Sequence, residues 1–258
     1  MTIMIAHSSH IMTRRLRAMA RQPYYIAITL VQPVIWLILF GQLFKNVVQI
    51  PGFAAGSYIG FLTPGIVVMS AMFSNGWSGM SYIEDIDRGV MDRFLVSPVR
   101  RGSLIGGQLA YHSILTLIQS FIIIGLGLIA GARFHGGLPI VIVFLAAVLL
   151  LGMAFSSFSD AMALILRKEE SLIAMVNFVV LPLSFLSSTF MPATLVPGWI
   201  RFLSRFNPVN WTVEIGRQTI SGNVDWTLVA SRFGLLAVLA LVLAWLSTRA
   251  FRAYQRSI

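Results

Sequence analysis

The chain has 258 residues, 57% of them hydrophobic and only 11% charged, and its mean hydropathy is +0.82. Soluble domains carry roughly a quarter of their residues as charge, so this composition excludes a soluble globular fold and leaves an all-α, polytopic membrane protein. The net charge of +10 is spread over segments flanking apolar runs, which argues against a nucleic-acid partner, and the lack of cysteine excludes a disulfide framework or a thiolate metal site.

Residues 1–22 place Arg14, Arg15, Arg17 and Arg21 among Ile5, Ile11, Met12, Leu16 and Met19. The mixture predicts an amphipathic helix lying in the bilayer interface with its arginines at the headgroups. A signal peptide is the competing reading, but the apolar run that follows is too long and no small-residue cleavage site comes after it.

Crossing the hydrocarbon takes about 20 residues, and six apolar runs qualify, at 24–44, 58–82, 104–130, 138–160, 172–190 and 228–246. Six spans put both termini on one side. The basic residues of that side are Arg14, Arg15, Arg17, Arg21, Arg88, Arg93, Arg100, Arg101, Arg167, Lys168, Arg249, Arg252 and Arg256. The other side has Lys45, Arg133, Arg201, Arg205, Arg217 and Arg232. The excess predicts cytoplasmic termini.

The loop between the second and third runs, 83–103, is the densest stretch of charge, with Glu84, Asp85, Asp87, Arg88, Asp92, Arg93, Arg100 and Arg101. Met91, Phe94 and Leu95 fall at i, i+3 and i+4, which gives a short helix one apolar face, and Pro98 and Gly102 are expected to end it. Such a helix at the cytosolic surface can dock into a groove of a soluble partner. The same spacing also suits a solvated loop that obeys the positive-inside rule and nothing more. Residues 191–227 are too polar to span and too apolar to float, with Pro192, Pro197 and Pro208 among Trp199, Ile200, Phe202, Leu203, Phe206 and Trp211. They predict one or two short helices that dip into or lie on the outer leaflet; an ordinary aromatic belt around a loop is the alternative.

Active transport needs an energy source, and none is visible inside the chain. The only lysines, Lys45 and Lys168, follow Phe44 and Arg167, so no Gly-Lys-Ser/Thr phosphate loop exists. Asp160 and His112 are the candidates for an ion-coupled carrier. Asp160 is expected at the cytoplasmic end of the fourth span and His112 as a packing residue near the start of the third, with a proton relay as the rival reading of both. His7, His10, His112 and His135 form no HExxH pattern, which leaves no metal site. Ser156, Ser157 and Ser159 read as small polar residues at helix contacts rather than nucleophiles. Polar residues inside the runs, Thr29, Gln32, Gln42, Ser70, Ser74, Asn75, Gln119 and Asn177, should face protein or a cavity. Of these, Gln32, Ser74, Asn75, Gln119 and Asn177 are candidates for a substrate pathway, with helix packing as the alternative. The carbonyls freed by Pro33 and Pro182 need partners from neighbouring helices.

The pattern of Glu84, Arg88, Gly89, Phe94, Leu95, Pro98 and Gly106, followed by Asn207-Pro208 and Arg217 before the last run, resembles the permease subunit of ABC-2 type exporters of drugs, lipids and polysaccharides. The similarity extends over nearly the whole chain, read as one transmembrane domain, 1–258. What it implies is a half-transporter that is not itself an enzyme and pairs with a second permease, a copy or a relative. In that family the loop between spans two and three is a coupling helix docked on a separate ATPase, which binds ATP and Mg. The resemblance thus assigns the docking role to Glu84, Asp85, Arg88, Gly89, Met91, Asp92, Arg93, Phe94, Leu95 and Pro98. The N-terminal amphipathic helix would lie beside it. The lack of fixed charge inside the runs suggests an amphipathic or apolar cargo.

Overall fold

Inside a bilayer no water satisfies peptide groups, so an apolar run must close its own hydrogen bonds as a helix. A computed structural model describes Thr13 and residues 23–50, 56–89 and 101–256, and each of the six predicted runs holds a helix. The interfacial helix predicted over 1–22 falls outside these residues, Thr13 apart.

The first helix, α1 (Pro23–Leu43), continues through Pro33 and leads to a 3-10 turn at Lys45–Gln49. Next comes α2 (Tyr58–Gly76), capped by Ser57, whose Oγ accepts from the Gly60 amide at 3.0 Å. A short α3 (Met80–Asp87) follows. The long helices α4 (Arg101–Ile129) and α5 (Gly137–Leu166) come before α6 (Glu169–Phe185), whose first turn carries two acids that suit its dipole. Two short helices, α7 (Gly198–Ser204) and α8 (Pro208–Gln218), precede α9 (Trp226–Arg256). No strand occurs among the described residues. Among the described residues four stretches are long and apolar enough to cross a membrane: Tyr58–Asp87, Gly106–Ile129, Gly137–Leu166 and Trp226–Tyr254. The apolar part of α1, Ala27–Leu43, is shorter.

Three boundaries differ from the sequence expectation. The second run is not one rod: the chain turns at Trp77–Gly79 before α3 begins, where Gly76, Gly79, Asn75 and Ser78 are weak helix formers. The helix of the third run begins at Arg101 rather than 104, so Gly102 lies in the first turn of α4; the surface helix that Gly102 was expected to end falls outside the described residues, and Gly89, with a φ of +64°, closes α3 in the left-handed region. Finally, α6 stops at Phe185 because Ser187, Ser188 and Thr189 turn inward and are buried among hydrogen bonds.

The broken segment before α9 is built as its prolines suggest. Pro208 takes the first position of α8, and the Asn207 side chain accepts from the Val209 amide at 2.9 Å. The same side chain donates to the Leu183 carbonyl at 2.7 Å, so it also closes the end of α6. Asn207→Ala should therefore cost about 2 kcal/mol, a cap plus a buried carbonyl. Asn207→Asp, which keeps only the cap, should lose about half as much, as read from thermal unfolding in detergent.

Nearly every residue of α2 is buried, with α1, α4, α5, α6 and α8 packed around it, while α5 lies along α9. Apolar burial drives little association in lipid, so close approach and hydrogen bonds must hold the bundle. Gly127 of α4 sits against Thr63 of α2, and Gly152 of α5 against Asn75. The outer faces stay apolar at Ile28, Val31 and Ile35 of α1, Phe178 and Phe185 of α6, and Val238 and Leu241 of α9. Exposed Trp226 and Trp245 stand apart on α9 by a rise of about 28 Å at 1.5 Å per residue, close to the ~30 Å hydrocarbon layer. Beyond Trp245, Arg249 stacks on its ring at 4.3 Å, as expected of an interfacial pair.

Candidate functional site at the α1–α2 cleft and the α2–α3 turn

Of the residues expected to dock on an ATPase, Glu84 and Asp85 lie in α3, Arg88 caps it and Gly89 follows in the left-handed turn. Glu84 and Arg88 are exposed, with a 3.8 Å separation between their charged groups that contributes little to stability at an open surface. Met91, Asp92, Arg93, Phe94, Leu95 and Pro98 fall outside the described residues.

Between α1 and α2 opens a cleft of about 150 Å³. Trp36, Phe73 and Trp77 supply aromatic wall, Thr29, Gln32, Ser70 and Ser74 supply uncharged polar groups, and among the described residues no ionisable side chain lines it. Two of the five pathway candidates, Gln32 and Ser74, therefore share one cavity. Asn75 is turned away from it, donating to the Ala71 carbonyl at 2.7 Å and to Thr116 Oγ1 at 2.8 Å, and so joins α2 to α4. Gln119 donates to Thr29 Oγ1 at 3.2 Å, tying α4 to α1 behind the cleft. Asn177 is half-buried on α6, away from the cavity lining. The aromatic lining was not predicted from sequence; its signal was present in the alternation of Trp36, Phe73 and Trp77 with the polar residues already singled out.

Where α2 ends, a buried polar cluster begins. Ser78 Oγ donates to Asp160 Oδ1 at 2.7 Å and accepts from Ser156 Oγ at 2.9 Å, while the Gly79 amide donates to Ser159 Oγ at 3.0 Å. Gln108 of α4 donates to the Ser78 carbonyl and Ser81 Oγ, at 3.2 and 2.7 Å, and lies 3.3 Å from His112 Nε2. Asp160 is only 1% exposed. It sits within α5 as a hydrogen-bonded partner of the α2–α3 turn, and Ser156 and Ser159 make helix contacts of the kind their size suggests. Among the described residues no group of three or more His, Cys, Asp or Glu could hold a metal.

A second cluster joins α8 to α2, to α9 and to the turn after α6. Arg217 of α8 donates to both the hydroxyl and the carbonyl of Ser188 and lies 3.9 Å over the Phe61 ring. Asn210 accepts from the Ser188 hydroxyl at 2.6 Å and donates to Glu214 Oε1 at 2.9 Å. The other Glu214 oxygen accepts from Arg232 Nε at 2.6 Å. From sequence, Arg232 is counted only for topology and Arg217 for topology and the family pattern; here both bind within the fold.

Residues 8–221 match the family described as ABC-2 type transporter. The chain belongs to the ABC-2 type transporter family. Relatives of this family member include the putative transport permease ycf38 of Cyanophora paradoxa, 31% identical over 83% of this chain and 74% of that one. The daunorubicin resistance ABC transporter permease protein DrrB1 of Streptomyces coeruleorubidus is 25% identical over 93% of this chain and 83% of its own length. The inner membrane transport permease YadH of Escherichia coli strain K12 is 27% identical over 81% and 82% of the two chains. This ABC-2 family member is thus a multi-pass membrane subunit of an ABC transporter, a transport permease of the kind that works with an ATPase subunit.

Proposed function

We propose that this permease exports an amphipathic, predominantly aromatic molecule from the cytoplasm or inner leaflet of a bacterial inner membrane. Six helices span, both termini face the cytosol, and the 191–227 segment lies at the outer leaflet. Two permease chains, copies or relatives, form the pathway, and ATP with Mg is bound and hydrolysed by a separate ATPase docked on 83–103. The observation that carries this reading is the α1–α2 cleft, whose uncharged polar and aromatic lining suits a flat amphipathic cargo and offers nothing to a small ion. The daunorubicin resistance permease among the relatives points the same way. ATP-driven closure of the ATPase dimer would move the docking loop and, with it, the spans as rigid bodies.

The test is ATP-dependent efflux of doxorubicin from vesicles that hold this chain with its partner ATPase. Arg88→Glu combined with Phe94→Ala should lower efflux and ATPase co-purification by about tenfold or more while membrane insertion is unchanged, as expected for an interface anchor and its charged neighbour. Undiminished efflux in that variant rejects the docking assignment, and efflux without ATP rejects the exporter reading.

A further inference from the structure

The stretch Ser74–Gly79 takes part in two sites at once. Ser74 and Trp77 line the α1–α2 cleft. One residue further on, Ser78 is bound to Asp160 and Ser156, and Gly79 is pressed so closely on α5 that a Cβ there would collide with the Ser159 carbonyl. Directly after this turn comes α3, which ends in the exposed Glu84 and Arg88. The cleft, the attachment to α5 and the lever toward the cytosol are therefore consecutive pieces of one short segment.

We propose that the Ser78–Asp160 bond is the fulcrum through which occupancy of the α1–α2 cleft sets the position of α3, with Asp160 and Ser78 as positioning residues for coupling cargo to ATP hydrolysis. This inference rests on the exporter reading above. A molecule lodged against Trp77 and Ser74 displaces the end of α2. With Ser78 held on α5, a translation there becomes a rotation of α3 about the fixed turn, and the far end of α3 moves. Without the bond, Ser156 and Ser159 still keep the turn against α5 through Ser78 and Gly79, but the pivot loosens and the linkage between the two ends weakens. The role belongs to the hydrogen bond rather than to the carboxylate charge: an asparagine at 160 can still accept from Ser78 Oγ, whereas alanine cannot. That distinction separates a fulcrum from a proton carrier, in which the acid itself is indispensable.

Two measurements decide it. In the first, doxorubicin stimulation of ATP hydrolysis is measured on the permease–ATPase complex. Asp160→Ala and Ser78→Ala should each lose about tenfold of the stimulation, the upper range for one buried hydrogen bond, while Asp160→Asn keeps it within about twofold. Full stimulation in Asp160→Ala, or a loss in Asp160→Asn equal to that in Asp160→Ala, overturns the proposal. The second measurement needs neither cargo nor ATPase. The chain has no cysteine, so spin labels on Asp87→Cys and Ile165→Cys report the separation of the α3 end from α5 without competing sites. Asp160→Ala should broaden that distance distribution and Asp160→Asn should leave it as in the parent; an unchanged distribution in Asp160→Ala overturns the fulcrum. Should the parent complex show no stimulation at all, it is the exporter reading that fails, and the label distances still judge the fulcrum independently.

Discussion

Glu214→Leu should lower the thermal unfolding midpoint of the detergent-purified protein by roughly 5–10 °C, the equivalent of about 2–3 kcal/mol for a chain of this size. The physical reason is that Glu214 is the one acid between two cations. Its Oε2 accepts from Arg232 at 2.6 Å and its Oε1 from Asn210, which in turn accepts from the Ser188 hydroxyl that Arg217 also contacts. Removing the carboxylate leaves Arg232 without its acceptor and Asn210 without one of its partners in a half-buried setting. Glu214→Gln keeps shape and one acceptor, and should recover about half of the loss. Arg217→Lys is not conservative here: an ammonium cannot lie flat on Phe61 while reaching both Ser188 oxygens, so it should resemble the leucine variant more than the parent. Fluorescence-detected size exclusion after heating provides the readout, and a midpoint shift in Glu214→Leu below about 2 °C would show that the network is dispensable.

Gly216→Val should be of similar severity for a different reason. On α8, Gly216 faces Phe144 of α5 and Pro64 of α2, and an added Cβ would lie 2.6 Å from Phe144 Cε2 and 2.8 Å from Pro64 Cβ. Neither neighbour can step aside: Phe144 is fully buried and Pro64 is fixed inside an enclosed helix. Overpacking at such a place costs about 3 kcal/mol. Alanine should cost less, since its better helix propensity returns close to 1 kcal/mol of the strain. Gly234→Ala is the matching control, because nothing lies within 4 Å of a Cβ there; it should stabilise α9 by up to about 1 kcal/mol. Equal midpoints for Gly216→Val and Gly234→Ala would mean that α8 is not wedged between α2 and α5.

How much of this was readable beforehand depends on whether the signal is local. The apolar runs were legible because hydropathy over about 20 residues answers to one solvent, the hydrocarbon. The caps at Ser57 and Asn207 also follow from adjacent residues. The break at Trp77–Gly79 was missed because Met72 and Phe73 before it and Met80 and Ile83 after it keep hydropathy high across it, although two glycines, a serine and an asparagine mark the turn. Pro64 gave the opposite error its chance, yet α2 passes through it. Pairings across the chain had no local trace: Ser78 meets Asp160, and Ser188 meets Asn210 and Arg217, only once the helices are packed. Charge counting treated Arg217 as a topology marker and could not show that it is stacked on Phe61. For the cleft, the polar residues Gln32 and Ser74 were identifiable as misfits in lipid, whereas Trp36, Phe73 and Trp77 were passed over although they stand close to those polar residues in the sequence.

The near-complete enclosure of α2 has a mechanical consequence. A helix wrapped on every side by its own protein has almost no boundary with acyl chains, so a thicker or thinner bilayer cannot act on it directly. Such strain falls on the outer staves α1, α6 and α9, which tilt to accommodate it, while the central rod keeps its height. Moving parts hung from that rod thus share a reference that the surrounding lipid does not disturb.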